Sequence, residues 1–238
     1  PYPFDEDSFK IVEVPYLGME HQSSITYGKR YMKGYLGRDL SRTGWGLKFD
    51  YIIIHEAGHE WFANNITYKD IADMWIHESF TTYSENLYLD YHYGKEASSD
   101  YVIGTRFSIS NKSPMIGPYG VNRRGSDIYT KGANVLHTLR QIANDDEKWR
   151  MILRGLNKKF YHQTVESKKI EDYISLNIGF DLSTFFNQYL RDIRIPNFEY
   201  RIEDGVLTYR WVNVIEKFTM PLEIEVLEKK ILSLIHIS

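Results

Sequence analysis

The spacing of apolar residues predicts a chain that is helical over most of its length. The first predicted helix has Asp50 as a suitable N-cap, and Gly94 ends the second one. In all, apolar positions recur at helical spacing over residues 49–65, 73–93, 128–144, 146–161, 167–177 and 182–192.

The pattern changes to a period of two after Pro196. Apolar and polar residues alternate over 198–202 and again over 207–211, and Asp204-Gly205 between them is typical of a hairpin turn. A third strand is predicted over 220–226. We therefore predict an α+β fold, with a mainly helical domain over residues 1–194 and the start of a small β-domain over 195–238.

Both ends of the chain are less regular. Short strands are predicted over 9–15 and 24–27, whereas 28–46 contains five glycines and is predicted to be mostly loop. The last residues, 232–238, fit either a β-strand cut short or translated sequencing-adapter read-through, and the sequence leaves both interpretations open.

The amino-acid composition excludes several classes of protein. The chain has 238 residues, of which 42% are hydrophobic and 15% aromatic, which excludes a disordered or fibrous protein. A net charge of −3 gives no reason to expect nucleic acid or an anionic membrane as a partner, and the longest apolar run, 51–54, is too short to span a bilayer. Because the chain contains no cysteine, any metal site must consist of histidines and carboxylates.

The motif His55-Glu56-Ala57-Gly58-His59 indicates metal-dependent chemistry. Residues four apart lie on one face of a helix, so both imidazoles can bind one ion while Glu56 points toward a water on that ion. A catalytic zinc needs a third protein ligand, and Glu78 on the second predicted helix is the candidate. A loop over 64–72 would return its carboxylate to the two histidines. We expect one Zn²⁺.

Two neighbours of Glu78 are predicted to have supporting roles. Glu85 lies seven residues further along the same helix face, where it can accept a hydrogen bond from a ligating histidine; the alternative is an ordinary surface carboxylate. His77 projects about 100° away from Glu78 around the helix, so we expect it to line the pocket or to form a hydrogen bond rather than to bind the metal.

The zinc motif resembles that of the aminopeptidase N and leukotriene hydrolase family of zinc metallopeptidases, gluzincins whose third ligand is a glutamate. The match comprises H-E-x-x-H followed by 18 residues and Glu78, with Trp61-Phe62 and 75–77 as extensions. Thermolysin-like endopeptidases use the same ligands with a gap one residue longer. The resemblance implies that His55 and His59 bind zinc with Glu78 and that Glu56 is the general base.

Two further segments resemble motifs of this family. Residues 17–21, Leu-Gly-Met-Glu-His, are similar to G-x-M-E-N, which implies that Glu20 binds the α-amine of the substrate and that Gly18 and Met19 also contact it; Leu17 and His21 depart from the motif. Residues 129–132 are similar to Y-x-K-G, which implies that Tyr129 is catalytic. His77 and Ser79 replace the Asn and Gly of the family beside Glu78.

The resemblance also implies an architecture. It identifies residues 1–194 as a thermolysin-like catalytic domain and the rest as the start of a small β-sandwich domain, so that the chain is a catalytic-domain fragment. The family's N-terminal β-domain and C-terminal helical domain, which cover the active-site cavity, are absent from this sequence and would be partners of the fragment.

The expected function is that of a zinc aminopeptidase acting on peptides with a free N-terminus. One alternative is a thermolysin-like endopeptidase, which needs the zinc site but no carboxylate such as Glu20 to bind an amine. Another is a catalytically silent member of the family that serves as an interaction scaffold. The presence of every ligand and of Glu56 favours an enzyme.

Overall fold

Helices form most of the structure, a computed structural model that describes residues 1–28, 30–204, 206–226 and 229–234. The predicted α+β class is confirmed. In chain order, the α-helices are α1 Tyr51–Gly58, α2 Trp75–Tyr93, α3 Lys95–Gly104, α4 Thr130–Ala143, α5 Asp146–Lys159, α6 Ser167–Ile178 and α7 Ser183–Arg191. The strands are β1 Lys10–Glu13, β2 Gly18–Met19, β3 Ser24–Tyr27, β4 Ile66–Tyr68, β5 Gln163–Val165, β6 Asn197–Glu203, β7 Val206–Val212, β8 Pro221–Val226 and β9 Lys229–Leu234.

Helix α1 is shorter than predicted. The Asp50 side chain caps it by accepting a hydrogen bond from the Ile53 N–H at 3.2 Å, but the helix ends at Gly58 instead of continuing to residue 65. Beyond it, the chain turns out of the helix because β4 pairs in parallel with β5. Asn65 fixes this turn, since its side chain bonds both Asn157 and the His162 N–H at 2.9 Å. Tertiary pairing thus overrides the local helical pattern.

Helix α2 is the centre of the fold, where it packs against α1, α3 and α4. Its residues Trp75, Ile76 and Phe80 are almost fully buried in the main hydrophobic core. A β-carbon at Gly132 of α4 would lie 1.8 Å from the Ser79 hydroxyl of α2, so only glycine permits this close helix contact. The contact brings the start of α4 beside the start of α2.

Helix α3 was not predicted from the sequence. It begins directly after Gly94, whose positive φ of 93° ends α2, and its short sequence has little amphipathic pattern. Val102 and Tyr101 on its inner face are buried by tertiary contacts with α2 and α4.

A small sheet of order β1-β3-β2 lies beside α1. Strand β2 is antiparallel to β3, with Gly18 opposite Tyr27 and Met19 opposite Thr26. A β-carbon at Gly18 would lie 2.8 Å from the Ile52 side chain, so glycine allows this edge strand to approach α1 closely. Strand β3 matches its predicted bounds, whereas β1 is shorter than predicted.

The C-terminal segment forms two separate hairpins. Strands β6 and β7 pair over their whole length, with Phe198 opposite Trp211, as the period-two pattern predicts, although Gly205 of the turn lies outside the described residues. The predicted third strand, β8, pairs with β9 rather than with the first hairpin. Trp211 and Phe218 join the main core. The domain boundary at 194/195 stays a prediction, and residues 235–238 of the ambiguous tail lie outside the described part.

Candidate metal centre and active site

Three potential metal ligands meet where α1 and α2 lie side by side. His55 belongs to α1, His59 follows its last residue in a helical conformation, and Glu78 lies in the first turn of α2. The Glu78 Oε2 atom lies 3.3 Å from His55 Nε2 and 3.5 Å from His59 Nε2. All three residues are buried, with exposed fractions of 6%, 2% and 5%. The structure therefore brings the three predicted ligands together, with one ligand atom of each within 4.8 Å of the others.

The chemistry of this donor set fits a divalent cation. Glu78 Oε2 is buried and has no hydrogen-bond partner in the structure. Burial opposes a charge on His55, but Glu78 and Glu85 outweigh that effect and raise the His55 pKa to about 10. Burial likewise opposes the Glu78 charge, yet both histidines keep the Glu78 pKa below its usual value. The cluster therefore favours a positive charge between its carboxylates, and nitrogen and oxygen ligands in this number suit zinc.

The second nitrogen of each histidine has a partner. His55 Nδ1 lies 3.2 Å from Glu85 Oε1, and the Tyr101 hydroxyl donates to Glu85 Oε2 at 2.6 Å. His59 Nδ1 lies 3.1 Å from the Phe62 carbonyl oxygen and 3.0 Å from Thr81 Oγ1. An imidazole that donates from Nδ1 presents the lone pair of Nε2, the form that binds a metal. These contacts orient both Nε2 atoms toward Glu78.

Glu56 lies beside this cluster and is also buried. Burial raises its pKa to about 7, with Glu20 and Glu78 adding to the rise and a charged His55 opposing it. A carboxylate with a pKa near neutrality can both accept and return a proton at physiological pH. The position of Glu56 therefore suits acid–base chemistry.

Glu20 reaches the same site from the sheet. It follows β2, is half-buried, and offers a carboxylate oxygen within 4.8 Å of ligand atoms of Glu56 and His59. Its backbone carbonyl accepts a hydrogen bond from the Asn64 side chain at 3.1 Å. Gly18 is close to the same site, because a β-carbon there would lie 3.1 Å from Glu56 Oε1, whereas the Met19 side chain is exposed.

Tyr129 completes the cluster from the start of α4. It is half-buried, and its ring centroid lies 6.0 Å from that of His55. Burial and the Glu78 carboxylate raise its pKa, while Arg124 acts in the opposite direction. The Arg124 Nη1 atom donates a hydrogen bond to the Tyr129 hydroxyl at 3.2 Å. The hydroxyl thus keeps its proton and can serve as a donor.

His77 is not part of the cluster of three potential ligands. Its Nε2 atom accepts a hydrogen bond from the Tyr68 N–H at 3.0 Å, and the two rings lie 4.1 Å apart. Burial, with a contribution from His59, lowers the His77 pKa to about 3, so this histidine is neutral. It holds the end of β4 in place against α2.

Several residues of the site carry no local signal in the sequence. Tyr101 lies on the unpredicted helix α3, and Thr81 is one of many polar residues on α2. Tyr51, whose ring stacks on His55 at 5.3 Å, could have been proposed from its i, i+4 spacing to that histidine. Arg124 belongs to a loop in which nothing but the structure indicates a contact with Tyr129.

Comparison with known proteins gives a family match for the first half of the chain. The sequence profile of the Peptidase family M1 domain matches residues 1–117 of the chain, a segment that includes Glu20, both histidines and Glu78. The first half of the chain thus matches the M1 peptidase family. This finding confirms the resemblance to the aminopeptidase branch of the gluzincins.

Curated relatives of this chain are aminopeptidases. Leucyl aminopeptidase of Saccharolobus solfataricus is 25% identical over 192 residues, which are 76% of this chain and 24% of that protein. Endoplasmic reticulum aminopeptidase 1 of Mus musculus is 27% identical over 176 residues, which are 69% of this chain and 19% of that protein. The chain thus spans about a quarter or less of the length of these two relatives.

Solved structures share the fold of this chain. Aminopeptidase A of Legionella pneumophila, in complex with aspartic acid, matches 95% of this chain and 28% of its own with a TM-score of 0.66 at 14% identity. The M1 zinc metallopeptidase of Deinococcus radiodurans matches 79% of this chain and 40% of its own with a TM-score of 0.61 at 19% identity. Within the described residues, no helix combines the length and hydropathy that crossing a membrane requires.

Proposed function

We propose that the chain provides the catalytic site of a zinc-dependent aminopeptidase, which removes N-terminal residues from peptides. The observation that carries this proposal is the convergence of His55 Nε2, His59 Nε2 and Glu78 Oε2, the last of which is buried without a hydrogen bond. His55, His59 and Glu78 would hold one Zn²⁺. When bound, zinc lowers the pKa of a water and polarises the scissile carbonyl.

Glu56 is the general base of the proposed reaction. Its carboxylate, which burial brings to a pKa of about 7, takes the proton of the attacking water. The same carboxyl group then passes this proton to the amine that leaves when the peptide bond breaks. The close approach of the Gly18 backbone to Glu56 Oε1 restricts the space around the base.

Tyr129 stabilises the charge that develops during the attack. Its hydroxyl donates a hydrogen bond to the carbonyl oxygen as that oxygen becomes negative, which lowers the barrier because the bond strengthens only in the transition state. The position of Tyr129 next to His55 and Glu78 supports this role.

Glu20 provides the selectivity for a free N-terminus. Its carboxylate lies beside Glu56 and His59, where it can accept hydrogen bonds from the substrate's α-ammonium group. An N-acylated peptide offers no such cation and would leave the Glu20 charge unpaired in a half-buried site. Gly18 and Met19 on the same strand would contact the first residue of the substrate.

The test compares an amino-acid arylamide with its N-acetylated counterpart in the zinc-loaded protein. We expect cleavage of the free amine only, loss of that cleavage in Glu56→Gln, and a strong rise in KM in Glu20→Ala. Glu13→Ala, which removes an exposed carboxylate of β1, is the matched control. Equal cleavage of both compounds would support a thermolysin-like endopeptidase instead, and zinc binding without cleavage would support a scaffold.

A further inference from the structure

An exposed arginine contacts the proposed catalytic tyrosine. Arg124 lies in the loop before α4, and its Nη1 atom donates to the Tyr129 hydroxyl oxygen at 3.2 Å. Its guanidinium carbon also lies 5.7 Å from the centre of the Tyr129 ring. Among the described residues, no carboxylate forms an ion pair with Arg124, so Tyr129 is its principal polar partner.

This contact restricts the direction of the tyrosine proton. A phenolic oxygen has one proton, and it accepts hydrogen bonds with its lone pairs. Both the O–H bond and the accepted hydrogen bonds lie close to the plane of the ring. When a guanidinium occupies the acceptor side, the O–H bond has to point away from that cation. Tyr129 also lies next to two of the proposed metal ligands: its ring centroid is 6.0 Å from that of His55, and its hydroxyl interacts with Glu78.

The backbone around Arg124 is held in place, so the contact does not depend on a free loop. A β-carbon at Gly125 would lie 1.8 Å from the Met115 carbonyl oxygen, which shows how closely the two segments pack. The Ser126 N–H donates to the Pro114 carbonyl at 3.0 Å. Gly117 in turn donates to the Ala72 carbonyl at 2.9 Å, which ties the loop to the start of α2.

We propose that Arg124 is a positioning residue that directs the Tyr129 hydroxyl proton toward the carbonyl oxygen of the substrate. The proposal rests on the proposed function of Tyr129 as the donor to that oxygen. The cationic partner also makes the hydroxyl a stronger donor, because charge-assisted hydrogen bonds polarise the group that they contact. Arg124 itself does not contact the reacting atoms.

The test is a double-mutant cycle on the zinc-loaded protein with an amino-acid arylamide as substrate. Arg124→Ala is expected to lower kcat about 10-fold and to change KM by less than about twofold, as loss of one charge-assisted hydrogen bond would do. Arg124→Lys, which retains one donor, should recover part of the rate. In the Tyr129→Phe background, Arg124→Ala should cause no further loss, because the oxygen that it contacts is gone.

Arg123→Ala is the matched control, since Arg123 is the adjacent exposed arginine and has no side-chain contact with Tyr129. A second measurement, by calorimetry, uses a phosphinic peptide analogue of the tetrahedral state. Its affinity should fall about 10-fold in Arg124→Ala only when Tyr129 retains its hydroxyl, with zinc content unchanged.

The role of Arg124 alone would be overturned by the same loss in both backgrounds, or by a raised KM with kcat preserved, which would indicate direct contact with substrate. An unchanged kcat in Arg124→Ala would do so as well. Full activity of Tyr129→Phe would instead remove the catalytic role of Tyr129, and this proposal with it. The single Tyr129 variant therefore separates the two failures.

Discussion

The proposed metal-binding half of the site and the proposed substrate-binding half are built differently. His55, His59 and Glu78 are buried between two packed helices, and the second nitrogen of each histidine has a partner. Glu20 and Tyr129, by contrast, are half-buried and lie at the end of an edge strand and at the start of a helix. The proposed metal ligands are thus held by helix packing and side-chain hydrogen bonds, whereas the proposed substrate-binding groups lie where a strand and a helix meet loops.

The largest effect is expected when the metal-binding half is broken. Glu78→Gln removes the only carboxylate among the three ligands, so the protein should lose its zinc and at least about 10³-fold of its activity. Zinc content after dialysis and kcat/KM measure both effects. His92→Gln, which changes an exposed histidine at the end of α2, should retain both zinc and activity. Full zinc occupancy in Glu78→Gln would contradict the proposed ligand set.

A substitution in the substrate-binding half should separate catalysis from metal binding. Tyr129→Phe removes one donor to the developing oxyanion, and we expect kcat to fall about 10²- to 10³-fold with zinc content unchanged. Tyr91→Phe, an exposed position on α2, is the matched control. Loss of zinc together with activity would show that Tyr129 supports the metal site rather than the transition state.

Glu85, whose carboxylate contacts His55, tests how much a residue that supports a proposed ligand contributes to zinc affinity. Glu85→Gln keeps the volume and an acceptor for His55 Nδ1 but removes the charge, so zinc affinity should fall about 10- to 100-fold. Competition with a chelator measures the affinity. Glu96→Gln, at an exposed position on α3, should leave it unchanged. If Glu85→Gln binds zinc as tightly as the original chain, the contact with His55 has only a structural role.

The smallest effect, on stability, is expected for an ion-pair network between the helices that support the site. Arg140 of α4 bonds Asp90 of α2 at 2.9 Å and Asp146 at 2.7 Å. The hydrogen bond from Arg140, opposed by partial burial, lowers the Asp146 pKa to about 2. Because the folded-state pKa is below the unfolded value, this stabilisation is present above about pH 4 and is lost as the pH falls toward 2.

The melting temperature of Asp146→Asn should therefore lie below that of the original chain at pH 5, and the difference should shrink toward pH 2. Asp172→Asn, which breaks an exposed ion pair with Lys168, should give a small difference at every pH. A difference for Asp146→Asn that is independent of pH would mean that the Arg140 pair does not supply this stability.

The difference between local and long-range contacts decides how much of the structure could be predicted from the sequence. The histidine pair follows from local helical spacing, and Glu78 follows from a loop that returns the chain, so both could be placed without a structure. The end of α1 could not, because pairing of β4 with β5 and the contacts of Asn65 are made by residues about 100 positions away. Helix α3 lacks a strong apolar pattern, so neither this helix nor the contact of its Tyr101 with Glu85 could be predicted from the sequence.

The C-terminal hairpins show a similar limit. Alternation of apolar and polar residues predicted β6 and β7, since that pattern is local to each strand. It did not reveal that β8 would pair with β9, because the choice of a partner strand depends on tertiary packing. The role of Glu20 rests on the family motif, and its position beside Glu56 appears only in the folded chain.

The position of the bound metal is the most direct test of the proposed ligand set. Among the described residues, two groups of side chains could hold an ion: His55 with His59 and Glu78, or His59 with Glu20 and Glu56. Anomalous diffraction at the zinc edge from crystals of the zinc-loaded protein locates the ion in one of them. We predict one zinc bound by His55, His59 and Glu78. Zinc bound by Glu20 and Glu56 would contradict the account, since both the base and the amine-binding carboxylate would then be metal ligands.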